Sequence, residues 1–319
     1  MRSYIFRRIL LMIPTVLFVT VIIFTTIRLI PGSVVDIMVA NYGTFGMVTL
    51  QEKQAIEHEM GMDVPIPVQY ARWVDQIFHG NLGTALWQHI PVVDEIGARW
   101  SVTFELGLLA IILAQILSIP IGIYSALRPN TWSDYLGRTF AILCIAVPSF
   151  WIATLVIVYP ALWWHYMPPL TLIKFSADPI GNLKMFIIPA LILAMGMGGF
   201  TTRLTRTMML EVMRQDYIRT AWAKGLKERV VVVRHAMKNV LIPIVTIIGQ
   251  QVSMLLAGTV IIETIFNLPG IGLLTLNAVS SRDYVTFEGC LLLYAIVLVV
   301  INLITDLAYG LVDPRIHYN

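Results

Sequence analysis

The sequence predicts an all-α, polytopic membrane protein with six transmembrane helices. Of its 319 residues, 57% are hydrophobic and only 13% are charged, whereas soluble domains average about 25% charged residues. Six runs contain no charged residue, and each is near the length of about 17–25 apolar residues that a helix needs to cross a bilayer. Basic residues gather between alternate runs. The six runs are residues 9–27, 106–127, 140–164, 185–202, 240–262 and 289–305.

A seventh uncharged run, residues 264–281, is interpreted as an external or partly re-entrant loop rather than a span. It contains residues that disfavour a continuous helix in lipid: Asn267, Pro269, Gly270, Gly272 and Asn277.

The distribution of basic residues predicts that both chain ends are cytoplasmic. Arg2, Arg7 and Arg8 precede the first run, and Arg128 and Arg138 flank the short loop between the second and third. No small-residue cleavage site follows the first run, so we expect a retained span and not a signal peptide. The richest loop lies between the fourth and fifth runs and carries Arg203, Arg206, Arg214, Arg219, Lys224, Lys227, Arg229, Arg234 and Lys238.

The predicted domain organisation has three parts: an N-terminal transmembrane helix at residues 1–31, an external subdomain at 32–100 and a core at 101–319. In the external part, Thr49 and Glu52 have capping-box spacing before a short helix. Gln69, Tyr70 and Trp73 then form a compact cap between prolines and glycines. This cap covers the mouth of a pathway, docks an external protein or plugs a gap between spans. Cys144 and Cys290 lie in apolar runs, so no disulfide framework is expected.

The fifth run carries Gln250, Gln251 and Ser253. Their polar side chains are costly to leave unpaired in hydrocarbon, so they are expected to face other protein or a watery cavity. Gln250, Ser253, Met254 and Ala257 share one helical face at i, i+3, i+4 and i+7. That face lines a translocation pathway or forms a hydrogen-bonded interface between helices, and the pattern fits both. Prolines and glycines in the spans likewise fit close packing or motion.

The basic segment at residues 209–243 is the most distinctive part of the chain. A cluster of Lys and Arg beside a span is typical of topology determination and attraction to anionic lipid. Here it also contains a short predicted helix from Asp216, with small residues that permit close approach to a partner's groove, ended by Gly225. The candidate partner-binding residues are Asp216, Tyr217, Arg219, Thr220, Ala221, Lys224, Gly225, Arg234 and His235.

These residues carry a resemblance to the inner-membrane permeases of ABC importers, in the dipeptide, oligopeptide and nickel branch. The family signature, Glu-Ala-Ala-x-x-x-Gly, stands here as Arg219-Thr220-Ala221 and Gly225, the form common in the peptide branch. The later Pro of the general pattern is displaced to Leu241-Ile242-Pro243. Further similar motifs along the chain are Arg7-Arg8, Gln69-Tyr70-x-x-Trp73, Gly80-Asn81-Leu82-Gly83, Glu263-x-x-Phe266-Asn267-x-Pro269-Gly270-x-Gly272 and Asp313-Pro314-Arg315.

The resemblance implies a type I ABC importer permease fold, in which this segment docks on a cytoplasmic ATPase. It implies as partners a second homologous permease, one or two ABC ATPase subunits, an external substrate-binding protein and membrane lipid, without nucleic acid. ATP and Mg would be bound by the partner subunits, with no cofactor in this chain. Peptides are the implied substrates, with nickel chelates, glutathione and oligosaccharides as alternatives.

The chain is not expected to be an enzyme or to bind a metal. It lacks the Gly-x-x-x-x-Gly-Lys-Ser/Thr phosphate loop, and its six histidines are scattered without metal-ligand spacing. A second class of function is a self-contained transporter driven by ions through Glu263, Asp306 or Glu105. A third is a membrane scaffold whose basic loop only binds lipid.

Overall fold

The computed structural model describes residues 2–29, 63–165, 169 and 171–312. Over these residues it is helical, with an isolated antiparallel bridge between Thr84 and Pro91, so the all-α prediction is confirmed. The capping box at Thr49 and the Asp313-Pro314-Arg315 motif lie outside the described residues. The helices are α1 (Arg2–Arg28), α2 (Ile66–Phe78), α3 (Val92–Leu127), α4 (Trp132–Ala146), α5 (Ser149–Trp164), α6 (Pro179–Val212), α7 (Asp216–Ala223), α8 (Glu228–Phe266), α9 (Ile271–Ser280) and α10 (Tyr284–Val312).

Five described helices, α1, α3, α6, α8 and α10, are long and apolar enough to cross a membrane, and α4 with α5 makes a sixth span if the pair counts as one. The span predicted at residues 140–164 is broken, because α4 and α5 meet at a 90° bend. Val147, between them, is extended, with φ −87° and ψ 122°. A residue before proline is forced out of the helical region, and Pro148 has no N–H to continue the ladder.

The interpretation of residues 264–281 as a loop holds for Asn267 to Gly270, since α8 continues to Phe266 and a further helix begins at Ile271. Asn267 ends α8 with a left-handed backbone of φ 51°, and the turn runs to Gly270. The apolar residues that follow form the ten-residue helix α9. The helix-disfavouring residues are concentrated before or at its start, where they terminate one helix and begin the next.

The described residues divide into two compact units, one built on Val102–Leu273 and the other joining Leu274–Val299 to Phe6–Ser101. The first unit has two apolar cores. One includes Leu106, Phe186 and Ile262, and the other, towards α7, includes Met209 and Val240. In the second unit, Ile23 and Ile27 of α1 pack with Tyr284 and partly buried neighbours.

Glycine permits close helix packing at one point of the first unit. A Cβ on Gly199 of α6 would lie 2.7 Å from the carbonyl oxygen of Ala141 in α4. At this position, therefore, the glycine serves close packing, which sequence alone did not separate from motion.

A buried ion pair joins α4 to α6. Asp134 is fully buried, and Arg206 binds it in a two-pronged manner, Nε to Oδ1 at 2.6 Å and NH2 to Oδ2 at 2.7 Å. The Ser125 hydroxyl of α3 and the Asn130 N–H of the following loop also donate to this carboxylate. Three helices are therefore tied together at the end of α6 that leads into α7.

Candidate functional site

The predicted short helix of the basic segment is present as α7, Asp216–Ala223. Its end is also as predicted, because Gly225 turns the chain with φ +75°. One face of α7 points into the protein: Ile218 and Ala221 are buried among Met209 of α6 and Val231 of α8. The helix is therefore anchored to both spans that flank it.

The opposite face of α7 and the turn after it are open to solvent. Tyr217 is 42% exposed, and its hydroxyl accepts a hydrogen bond of 2.6 Å from Asn239 of α8. The NH1 atom of Arg219 lies 3.4 Å from Oδ1 of Asp216 in the same helix. Of the predicted partner-binding residues, His235 is half-buried and seven are exposed: Asp216, Tyr217, Arg219, Thr220, Lys224, Gly225 and Arg234.

Ala221 is the exception among those residues. Only 4% of it is exposed, and it packs in the chain's own core rather than on the outer surface. A small residue here allows α7 to lie close to α6 and α8 within the chain. Exposed apolar side chains beside it were missed from the sequence: Trp222 (42%), Leu226 (37%) and Val233 (63%). The tryptophan in this short charged helix was the feature of the sequence that could have indicated an exposed apolar contact.

The start of α8 is π-helical over Val231–Ala236. The wider turn suits a run of four valines, whose β-branched side chains crowd an α-helix. It places Val231, Val232 and Ala236 in the core against α7, while Val233 and Arg234 face outwards.

In the fifth span, the predicted pathway face is the outward face of α8 in the single chain. Gln250, Met254 and Ala257 are exposed and Ser253 is half-buried. The buried amide is the neighbouring Gln251, whose Nε2 donates to the Met197 carbonyl at 2.9 Å. Gln251 therefore fits the interhelical role, while the predicted face stays open.

The predicted external cap, Gln69, Tyr70 and Trp73, contacts its own first span. Arg28 Nε donates to Gln69 Oε1 at 3.1 Å, and the Arg28 guanidinium also pairs with Glu288 of α10 at 2.9 Å. The Tyr70 and Trp73 rings lie 5.5 and 5.6 Å from the Phe24 ring. Among the three readings, these contacts favour a structural element that holds α2 against α1.

This chain is similar to known proteins over nearly its whole length. Residues 118–318 match the family described as binding-protein-dependent transport system inner membrane component, and residues 1–106 match the N-terminal region of that family. The chain belongs to this family. It is thus a multi-pass inner-membrane permease component, non-catalytic itself, of a kind that works with ATPase and binding-protein subunits.

Two relatives and one solved structure illustrate the match. The dipeptide transport system permease protein DppB of Escherichia coli is 35% identical over all of this chain and 99% of its own length. A Brucella suis protein named as a peptide transport system permease is 36% identical, with full coverage of both chains. A chain from inward-facing structures of the MetNI methionine ABC transporter has the same fold, with TM-score 0.54 and 14% identity over 68% of this chain and 96% of that one.

In this permease Glu263, considered above as an ion carrier, is committed to the backbone of α9. It is fully buried, and Oε2 accepts the Leu273 N–H at 3.0 Å. The Thr103 hydroxyl donates to Oε1 at 2.7 Å and accepts the Ile271 N–H at 2.8 Å. Glu263 and Thr103 therefore satisfy the first N–H groups of α9, which have no partners within the helix.

The same contacts explain the two glycines, Gly270 and Gly272, of the motif that begins at Glu263. A Cβ on Gly270 would collide with the Glu263 carboxylate, and one on Gly272 would lie 2.5 Å from the Cα of Val260. The motif is accordingly a device for seating α9 on α8. Among the described residues, no group of three His, Cys, Asp or Glu side chains could hold a metal ion.

Replacing Glu263 with glutamine and with alanine distinguishes two roles for this residue: holding the start of α9 in place and carrying an ion. Glu263→Ala leaves buried donors unsatisfied, at about 1–3 kcal/mol each, so we expect a clear fall in the melting temperature of the detergent-solubilised chain. Glu263→Gln keeps a carbonyl oxygen for the Leu273 N–H, and its Nε2 can donate to the Thr103 oxygen, although the Thr103 hydroxyl loses its own acceptor. It should therefore melt closer to wild type than Glu263→Ala and support substrate uptake. Loss of uptake in a stable Glu263→Gln protein would instead indicate a proton carrier.

Proposed function

We propose that the chain is one membrane subunit of an ATP-driven peptide importer, forming half of the translocation pathway and coupling through α7 to a cytoplasmic ATPase. The observation that carries the coupling role is the division of α7 into a buried face, with Ile218 and Ala221, and an open one. A short helix with one free face fits helix-in-groove recognition by another subunit.

The anchoring of α7 supplies the route of coupling. Ile218 belongs to the same apolar core as Met209 of α6 and Val240 of α8, so a displacement of α7 carries the ends of both spans with it. ATP and Mg, held between partner subunits, would favour one position of α7 over the other. The permease then responds by a rigid-body shift between inward- and outward-facing states.

Peptide is the proposed substrate class. Full-length relatives at 35% and 36% identity are named for dipeptide and peptide transport. Nickel chelates, glutathione and oligosaccharides remain the alternatives within the same importer class. We assign selection mainly to an external binding protein, which delivers the substrate to the permease.

The proposed assembly contains a second homologous permease and one or two ABC ATPase subunits. The exposed amide of Gln250 supports this, since a polar side chain in a span needs protein or water beside it. Both termini are proposed to be cytoplasmic, which follows from the basic loops and sets α7 on the ATPase side. The division into 1–31, 32–100 and 101–319 is kept as the proposed domain organisation.

Purification of the tagged chain from its host in mild detergent tests this proposal. We expect a second permease and one or two ATPases to co-purify, with a substrate-binding protein encoded or captured alongside. Recovery of the chain alone, under conditions that keep a known ABC importer intact, would contradict it.

A further inference from the structure

The first unit contains a cavity of about 300 Å³ at the break between α4 and α5. Pro148 and Ser149 form one wall, Gly196 and Met197 of α6 a second, and Gln251 of α8 a third. Gly196 lies half-way along α6, and Gln251 lies at the centre of the uncharged run 240–262. The cavity is thus at mid-depth of these spans, and its size is at the lower end for ligand-binding pockets.

The broken span determines what kind of molecule suits this cavity. A helix break leaves terminal C=O and N–H groups without partners inside a helix. Here the Val147 and Trp151 N–H groups donate to the Leu143 and Pro148 carbonyls, which satisfies part of this set. At membrane depth such backbone is tolerated where it is buried in protein or lines a hydrated cavity. A lipid tail offers these groups no hydrogen bond, whereas water or a polar substrate does.

The chemistry of the wall narrows the substrate further. Among the described residues that line the cavity, none is charged, and the polar side chains include Ser149 and Gln251. Most of the wall is aliphatic or thioether, with Met195, Met197 and Met254. Methionine adapts to different shapes, which suits a wall that contacts side chains of differing form.

We propose that this cavity is a transit site for an uncharged side chain of the transported peptide. This inference rests on the proposed function and adds the place in the chain where substrate is held. Charged peptide termini would stay outside, since the wall offers no charge to pair with them. The position of the cavity at the bend between α4 and α5 makes its width sensitive to the angle between these helices.

Gly196 offers a direct way to fill the cavity. A Cβ at Gly196 meets no atom within 4 Å, so a larger side chain enters open space. Gly97 of α3 is the matched control: it is also helical, a Cβ there likewise meets no atom within 4 Å, and it does not line the cavity. The comparison is Gly196→Leu against Gly97→Leu, with each complex first shown to retain its ATPase subunits.

The test is ATP-driven uptake of radiolabelled alanyl-phenylalanine and glycylglycine into proteoliposomes. In Gly196→Leu we expect uptake of alanyl-phenylalanine to fall at least about tenfold and that of glycylglycine less than about twofold, with Gly97→Leu like wild type for both. If Gly196→Leu takes up both peptides at the wild-type rate, the transit site is overturned while the proposed function stands. A wild-type complex that takes up neither peptide contradicts the proposed function and overturns the inference with it.

A second variant tests the inference if Gly196→Leu does not assemble with its ATPase subunits. Gly196→Cys adds a thiol to a cavity that Cys144 also lines. Modification of residue 196 by N-ethylmaleimide is therefore followed by mass spectrometry of the proteolytic peptide that contains it, with and without alanyl-phenylalanine. Slower modification in the presence of the peptide supports the transit site. An unchanged rate, or a co-purified lipid identified as the protecting molecule, overturns it.

Discussion

Replacing Trp222 with alanine is expected to weaken binding of the ATPase by about 30-fold or more, equivalent to about 2 kcal/mol. Trp222 is 42% exposed on the helix whose other face is buried. Exposed aromatic side chains beside Arg residues are the usual anchors of a helix in a partner's groove. The measurement is titration of the purified ATPase against the permease in detergent.

Trp132→Ala is the matched control for this change. Trp132 is 82% exposed at the start of α4, outside α7 and its turn, so its loss should leave ATPase binding unchanged. Trp222→Phe should recover a large part of the affinity, since it keeps an aromatic ring. Equal ATPase binding by Trp222→Ala and wild type would contradict the docking role of the outer face of α7.

Replacing Arg206 with alanine is expected to destabilise the chain by about 3–5 kcal/mol, because it leaves the carboxylate of Asp134 buried and without its cation. Asp134 is fully buried, whereas the Arg206 side chain retains 19% exposure. The Ser125 hydroxyl and the Asn130 N–H would remain as donors, too few to replace a two-pronged guanidinium. Thermal unfolding of the solubilised chain measures the effect.

Arg203→Ala supplies the control in the same helix, since Arg203 is exposed and its removal should change stability little. The double variant Asp134→Leu with Arg206→Met should recover at least part of the loss, because no charge is then left unpaired. Equal melting temperatures for Arg206→Ala and Arg203→Ala would show that the ion pair contributes nothing to stability.

The sequence predicted the number and order of spans well, because runs without charge are a direct consequence of the lipid solvent. It did not predict the bend at Val147, since a proline within a span is compatible with a kinked continuous helix as well as a break. The helix α9 was missed because the run was judged by its whole composition. Pro269 and Gly270 made the run appear unsuited to a helix, although both lie just before α9 begins.

Sites were predicted less completely than spans, for a related reason. Periodicity assigns residues to a face but does not say which face meets the chain's own core. In α7 the small residue Ala221 turned inwards, while Trp222 remained exposed. In α8 both Gln250 and Gln251 were expected to face protein or a watery cavity, and within the chain only Gln251 is buried. The backbone partner of Glu263, the Leu273 N–H, could not be inferred, because it belongs to a helix that was not expected there.

ATP-driven uptake of a labelled dipeptide into proteoliposomes tests the central claim most directly, with the permease, its co-purified ATPase and the external binding protein present. We expect uptake only with internal ATP, and a large reduction when Trp222→Ala replaces the wild-type chain. Uptake by this chain alone, driven by an ion gradient and indifferent to the ATPase, would contradict the account.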